Sequence, residues 1–278
     1  MKKTFTIMGL LFALLFVLLL PASSVFADPQ ALIDQGLIEA AKGKTEEAIN
    51  LYTKAIKEKP DYAYAYYYRG ITYLSKGKAA EGVQDLTAAI QYRKNYIDAY
   101  YSRAMAYMSQ GDSKNALADF SEVIRLRPDF FDAYNSRGSV YVATGEREKA
   151  IADFSEVIRL NPDFAFAYYN RAIAYSSLGQ HLKAIDDFSV VLRERPDLVD
   201  AWFFRGSSFL QTGQNLAALD DFTKAIELRK DYAAALNSRG VLYAVMGNAF
   251  RGCTDLEAAN KLGVSAGYEW AKNSKICK

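Results

Sequence analysis

A period of 34 residues governs this chain. A large apolar residue recurs at Leu32, Tyr66, Tyr100, Tyr134, Tyr168, Trp202 and Leu236 without a slip in the spacing. Glycine returns at the same interval at Gly43, Gly77, Gly111, Gly145, Gly179, Gly213 and Gly247, and a small residue follows at Ala48, Gly82, Ala116, Ala150, Ala184, Ala218 and Gly252. Self-similarity at such a period is the mark of a repeat architecture, in which a unit buries its apolar face only against its neighbours. Seven units run from Pro29 to Ala266 and take in nearly everything beyond residue 27. The apolar share of 51% excludes a disordered or collagen-like chain.

Within a unit the apolar residues fall at helical spacing. In the fourth, Tyr134, Gly138 and Tyr141 form one stripe of a first helix, and Gly145 stands where a helix C-terminus favours a residue without Cβ. Ala150, Phe154, Val157 and Ile158 mark one face of a second helix, which Asn161-Pro162-Asp163 ends. Gly138 and Ala150 are expected to let the two helices approach closely. The tyrosines at 66, 73, 100, 107, 134, 141, 168 and 175 are assigned to the core stripe.

The pattern of aromatic, glycine, aromatic, alanine, phenylalanine and closing proline resembles the tetratricopeptide repeat. That resemblance implies an all-α fold, a right-handed α-solenoid of about seven helical hairpins, with residues 28–266 forming the repeats. A capping helix over about 264–273 follows, and 267–278 holds its end and the tail. Departures are few. Lys94 and Lys230 replace the closing proline, Val264 stands in its place in the last unit, and Glu39 replaces the aromatic found in the other units.

The first 27 residues form a separate segment. Met1-Lys2-Lys3 is a basic head, Phe5 to Leu20 an apolar run, and Val25-Phe26-Ala27 an A-x-A-like end, the pattern of a cleaved secretory signal. Export to a periplasm or the cell exterior is the expectation. An uncleaved anchor is the alternative, and the only membrane contact the sequence suggests.

Arginine recurs at Arg69, Arg103, Arg137, Arg171, Arg205 and Arg239, and aspartate at Asp85, Asp119, Asp153, Asp187, Asp221 and Asp255. The first unit lacks both, with Gln35 and Leu51 in their places. Charges that appear and vanish together point to structural ion pairs, within a unit or across to the next, rather than to a catalytic pair repeated six times. Cys253 and Cys277 lie where antiparallel helices bring a start beside an end. In an exported chain they are expected to form a disulfide that clasps the end of the solenoid.

Nothing in the sequence suggests catalysis. His181 is the single histidine, no glycine-rich phosphate loop or nucleophile elbow occurs, and neither a metal site nor a cofactor is expected. Lysine plus arginine number 34 against 32 acidic residues, so no basic surplus points to nucleic acid.

The resemblance implies a ligand groove on the first helices. Carried over by position, its face is Tyr64, Tyr67, Tyr101, Asn135, Phe166, Tyr169, Phe203 and Asn237, with Asp98, Asp132 and Asp200 at the edge. Lysine and arginine are absent from these positions, which departs from the carboxylate-clamping subclass. Rings and amides in one groove suit an extended peptide or protein partner. A sugar polymer such as peptidoglycan or a secreted polysaccharide, stacked on the tyrosines, is the alternative, and self-association a third reading.

Overall fold

A computed structural model describes residues 28–277, so the secretory-signal expectation at 1–27 lies outside the described residues. Every regular element among them is an α-helix: α1 (Pro29–Ala41), α2 (Thr45–Glu58), α3 (Ala63–Ser75), α4 (Ala79–Tyr92), α5 (Ile97–Ser109), α6 (Ser113–Leu126), α7 (Phe131–Ala143), α8 (Arg147–Leu160), α9 (Ala165–Ser177), α10 (His181–Glu194), α11 (Val199–Gln211), α12 (Asn215–Leu228), α13 (Ala233–Val245), α14 (Ala249–Lys261) and the shorter α15 (Ala266–Asn273). They form two compact units, one ending at Ala106 and the other beginning at Tyr107, inside α5. Within each unit, consecutive helices pair as hairpins that pack on their neighbours.

The turn inside each hairpin follows from its glycine. At Gly77 φ is +74°, the left-handed region that a Cβ disfavours. Lys78 N–H reaches Tyr73 C=O and Gly77 N–H reaches Leu74 C=O, capping carbonyls the helix would otherwise leave unpaired. The link between hairpins depends less on proline than the repeat pattern suggests. Arg127, before Pro128, adopts φ −141° and ψ 87°. Arg93 and Arg229, each before a lysine, sit at φ −136°, ψ 92° and φ −139°, ψ 96°. The lysines therefore leave the link intact.

The core belongs to the second helices. Phe120, Phe154, Phe188 and Phe222 are wholly buried, as are Leu86 and Leu256 at the same repeat position, and each such ring contributes roughly 2–3 kcal/mol of burial. Gly138 opposes Phe154 so closely that a Cβ there would lie 2.8 Å from Cε1, which accounts for the small residue. The tyrosine stripe of the first helices requires a correction: Tyr66, Tyr73, Tyr134, Tyr141, Tyr168 and Tyr175 are only half-buried. Tyr66, Tyr168 and Tyr175 pack against the core, and the rings of the stripe also flank the arginines, with the Arg171 guanidinium 5.7 Å from the centroids of both Tyr168 and Tyr175.

Those arginines hold the hairpins together. Arg137 donates from Nε and Nη2 to the two carboxylate oxygens of Asp153 at 2.8 and 2.7 Å, and from Nη1 to Ser121 Oγ at 3.0 Å. One guanidinium thus joins the first helix of its hairpin, the second helix, and the second helix of the preceding hairpin. The arrangement repeats at Arg69 with Asp85 and Thr53, Arg171 with Asp187 and Ser155, Arg205 with Asp221 and Ser189, and Arg239 with Asp255 and Thr223. Arg103 reaches Thr87 in the first unit, and Asp119 is buried in the second. The hydroxyl partners also recur every 34 residues, a signal that pairing the charges alone leaves unread.

At Asp221, which keeps only 3% of its surface exposed, burial outweighs Arg205 and raises the carboxyl's pKa. The aspartate hydrogen-bonded to Arg205 is therefore costly to bury, whereas at Arg69, Arg137 and Arg171 the bond to the carboxylate outweighs burial and raises the guanidinium's pKa. After the last hairpin, α15 packs on α13 and α14, and the Cα atoms of Cys253 and Cys277 lie 5.6 Å apart, the spacing a disulfide requires.

Candidate functional site

The first helices place their ligand-face residues in two separate sets. In the first unit, Tyr64 and Tyr67, on one side of α3, bracket Tyr96. Ring centroids lie 5.4 Å apart for Tyr64 and Tyr96, and 5.0 Å for Tyr67 and Tyr96. Tyr62 adds an edge-on contact to Tyr64 at 5.7 Å. Burial pushes the Tyr67 hydroxyl up, and Tyr96, nearly covered, is raised further for the same reason. Tyr64 stays exposed at the rim, and Tyr101, half-buried on α5, stands one repeat beyond Tyr67.

In the second unit, Tyr169 of α9 lies edge-on to Phe188 and to Phe204, while Phe203 of α11 meets Phe222 and Tyr232. Asp200, one turn before Phe203, is the polar centre of this cluster. Its carboxylate lies 3.5 Å from Arg229 Nη1 and close enough to the Tyr232 hydroxyl to act on it. Burial first, then Asp200, raises the Tyr232 pKa, and the same two causes in the same order raise Tyr169. Phe166, a turn before Tyr169, stands out into solvent.

Asn135 of α7 occupies the same position a repeat earlier, and its Oδ1 is covered without a donor among the described residues. One turn along the same helix, Ser139 and Val142 line a recess of about 210 Å³ with Phe154, Asn170 and Ile173. Asn237 stands apart from this face. Its Oδ1 accepts the Gly267 N–H at 3.2 Å, so its amide is taken up by α15.

Basic groups reach the face after all, from the links between hairpins. Arg93 donates from Nη1 to the Tyr64 hydroxyl at 2.5 Å, and its guanidinium lies 4.8 Å from the Tyr96 centroid. Arg229 lies 4.7 Å from Tyr232, Arg127 3.8 Å from Phe130, and Lys59 4.9 Å from Tyr62. The signal was present in the sequence: a basic residue just after the second helix at 59, 93, 127, 195 and 229, with an aromatic three residues on at all but 198. Considering only the first helices leaves these residues out. Apolar rings, one acid and one base side by side can cover peptide side chains while hydrogen-bonding to backbone amides. Among the described residues no cluster of histidine, cysteine or acidic side chains is arranged to hold a metal ion.

Comparison with known proteins bears on this arrangement. Tetratricopeptide repeat models match residues 36–77 and 138–179, residues 97–130, and residues 169–232, together more than half of the chain. No curated protein matched the sequence. Among solved structures, YrrB, described as a TPR protein with an unusual peptide-binding site, aligns at 22% identity over 68% of this chain and 97% of its own, with a TM-score of 0.63. The C-terminal part of a TPR repeat-containing protein from Cytophaga hutchinsonii aligns at 17% identity over 83% of this chain and 95% of its own, with a TM-score of 0.71. MamA from Desulfovibrio magneticus RS-1 aligns at 25% identity over 61% of this chain and 96% of its own, with a TM-score of 0.58. With its period, its hairpins and these matches, the chain belongs to the tetratricopeptide repeat family.

Proposed function

We propose that this chain is a non-enzymatic adaptor that binds an extended peptide segment of a protein partner on its first-helix face, outside the cytoplasm. The observation that carries the reading is the group formed by Tyr169, Phe203, Asp200, Arg229 and Tyr232, where rings for side chains and charges for backbone amides stand together. The Tyr64, Tyr67, Tyr96 and Arg93 group offers the same chemistry in the first unit. That the similar YrrB is described as having a peptide-binding site supports the reading.

Export is supported by the basic head, apolar run and small-residue end of residues 1–27. The placement of Cys253 and Cys277 agrees with it, because a disulfide between them would persist only in an oxidising compartment. Selection from a random peptide display library tests the binding claim. The expected result is a family of peptides that bind the chain and lose affinity when Tyr169 or Phe203 is replaced by alanine. Failure to select any peptide, with oligosaccharides bound instead and quenching the tyrosines, would replace the peptide reading by a glycan scaffold.

A further inference from the structure

The link between the sixth and seventh hairpins carries its own cation. Arg229 Nη1 lies 3.5 Å from Asp200, at the second position of α11, and the guanidinium 4.7 Å from the Tyr232 centroid. Two periods earlier the same places are held by Asp132, Asn161 and Phe164. The backbone is alike at both links, with φ −139° and ψ 96° at Arg229 and φ −141° and ψ 86° at Asn161. The acid and the ring are kept, and the base is replaced by a short neutral side chain.

Asp132 is half-buried and makes no ion pair among the described residues. The bases on the neighbouring links and on α8 are taken up elsewhere. Arg127 lies 3.8 Å from the Phe130 centroid, Arg159 donates to Glu156, and Arg195 donates to Asp197. The other acids of these links, Asp129 and Asp163, are exposed and add negative charge. Rings gather at the same link: Phe164 stands 5.6 Å from Phe131 and 6.0 Å from Phe166, centroid to centroid, and Phe166 is 52% exposed.

We propose that this subsite takes a lysine or arginine side chain of the bound peptide, its charge set beside Asp132 and Phe164 as Arg229 is set beside Asp200 and Tyr232. The inference rests on the peptide reading of the first-helix face, and adds to it what one residue of the peptide must be. A carboxylate and a ring face both attract a cation, and a half-buried acid is already partly stripped of water when the cation arrives. An acidic side chain would meet Asp132, Asp129 and Asp163, like charge on like. An apolar side chain would cover Asp132 and leave its charge unpaired. Asn161 is then a determinant of specificity, because an arginine there would fill the place from within.

Peptides selected from a random display library on the full chain are the probes. They are expected to share a lysine or arginine, and its replacement by norleucine to weaken binding about tenfold. Asp132→Asn is expected to cost the parent peptide the same factor and the norleucine peptide nothing, a coupling that a merely structural role for Asp132 would not give. Asn161→Arg is expected to abolish the preference for a base while the rings still hold the rest of the peptide. This second variant carries the test by itself if Asp132→Asn lowers the melting temperature. Selected peptides with no shared base, a coupling below twofold, or a preference unchanged in Asn161→Arg overturns the proposal and leaves the peptide reading standing. Failure to select any peptide overturns both.

Discussion

Arg137 grips Asp153 through two parallel hydrogen bonds of 2.8 and 2.7 Å and spends its remaining Nη1 on Ser121 of the preceding hairpin. The pair lies between the helices of one repeat, and the serine carries it across to the next. Asp153→Ala leaves a guanidinium facing a gap in a half-buried site, and is expected to cost about 3 kcal/mol or more. Ser121→Ala removes one neutral acceptor and is expected to cost about 1 kcal/mol. Urea unfolding of the two variants measures both, and equal midpoints for Asp153→Ala and the parent chain would refute the structural role.

Two glycines separate conformational need from spatial need. Gly213 has φ +76° and nothing within 4 Å of a Cβ, so Gly213→Ala tests backbone strain alone and is expected to cost about 1–2 kcal/mol. Gly138 is helical, and its Cβ would press on Phe154; yet Ala104 and Ala172 fill that position in other repeats. Helix propensity returns about 1 kcal/mol, so Gly138→Ala is expected to be close to neutral. Thermal melts of the pair decide it, and the reverse order of costs would contradict the account.

Alkaline stability follows from the buried tyrosines. Burial, with Tyr68 as a smaller cause, pushes the Tyr52 hydroxyl up to about 12 from an ordinary 10.0. A folded-state pKa raised above the unfolded value means the contribution is whole below pH 10 and is lost between 10 and 12. For Tyr52 the loss is limited to roughly 2–3 kcal/mol. Melting temperature is expected to fall over that interval, less steeply in Tyr52→Phe, and a flat profile would show the ring to be solvated.

If Cys253 and Cys277 are joined, their bond closes a loop with a sequence separation of 24. The chain-entropy relation assigns such a loop roughly 3.5 kcal/mol. Reduction is expected to speed amide exchange in α15 and leave α9 unchanged, since each repeat touches only its neighbours. Uniform acceleration along the second unit would contradict that local role.

The period of 34 made the fold legible, because glycine, small residue and ring each do one mechanical task in every hairpin. Helix ends, the close approach at Gly138 and the Arg–Asp partners could all be read from spacing. The tyrosine stripe could be read only in part, since a period shows that a ring packs on the core but not that its other side flanks an arginine. The candidate face was legible only in part. Tyr67, Tyr169 and Phe203 could be placed from their helix positions. Arg93 and Arg229 enter from links, and Asn237 is held by α15, which position within a repeat does not encode.

The central claim is that the first-helix face holds a peptide, and a photo-crosslinking residue at Tyr101 and, separately, at Tyr169 tests it in the living host. Illumination followed by mass spectrometry is expected to give one dominant protein at both positions, attached through a short contiguous segment. Adducts carrying sugar, or none from a chain that is folded and exported, would contradict it.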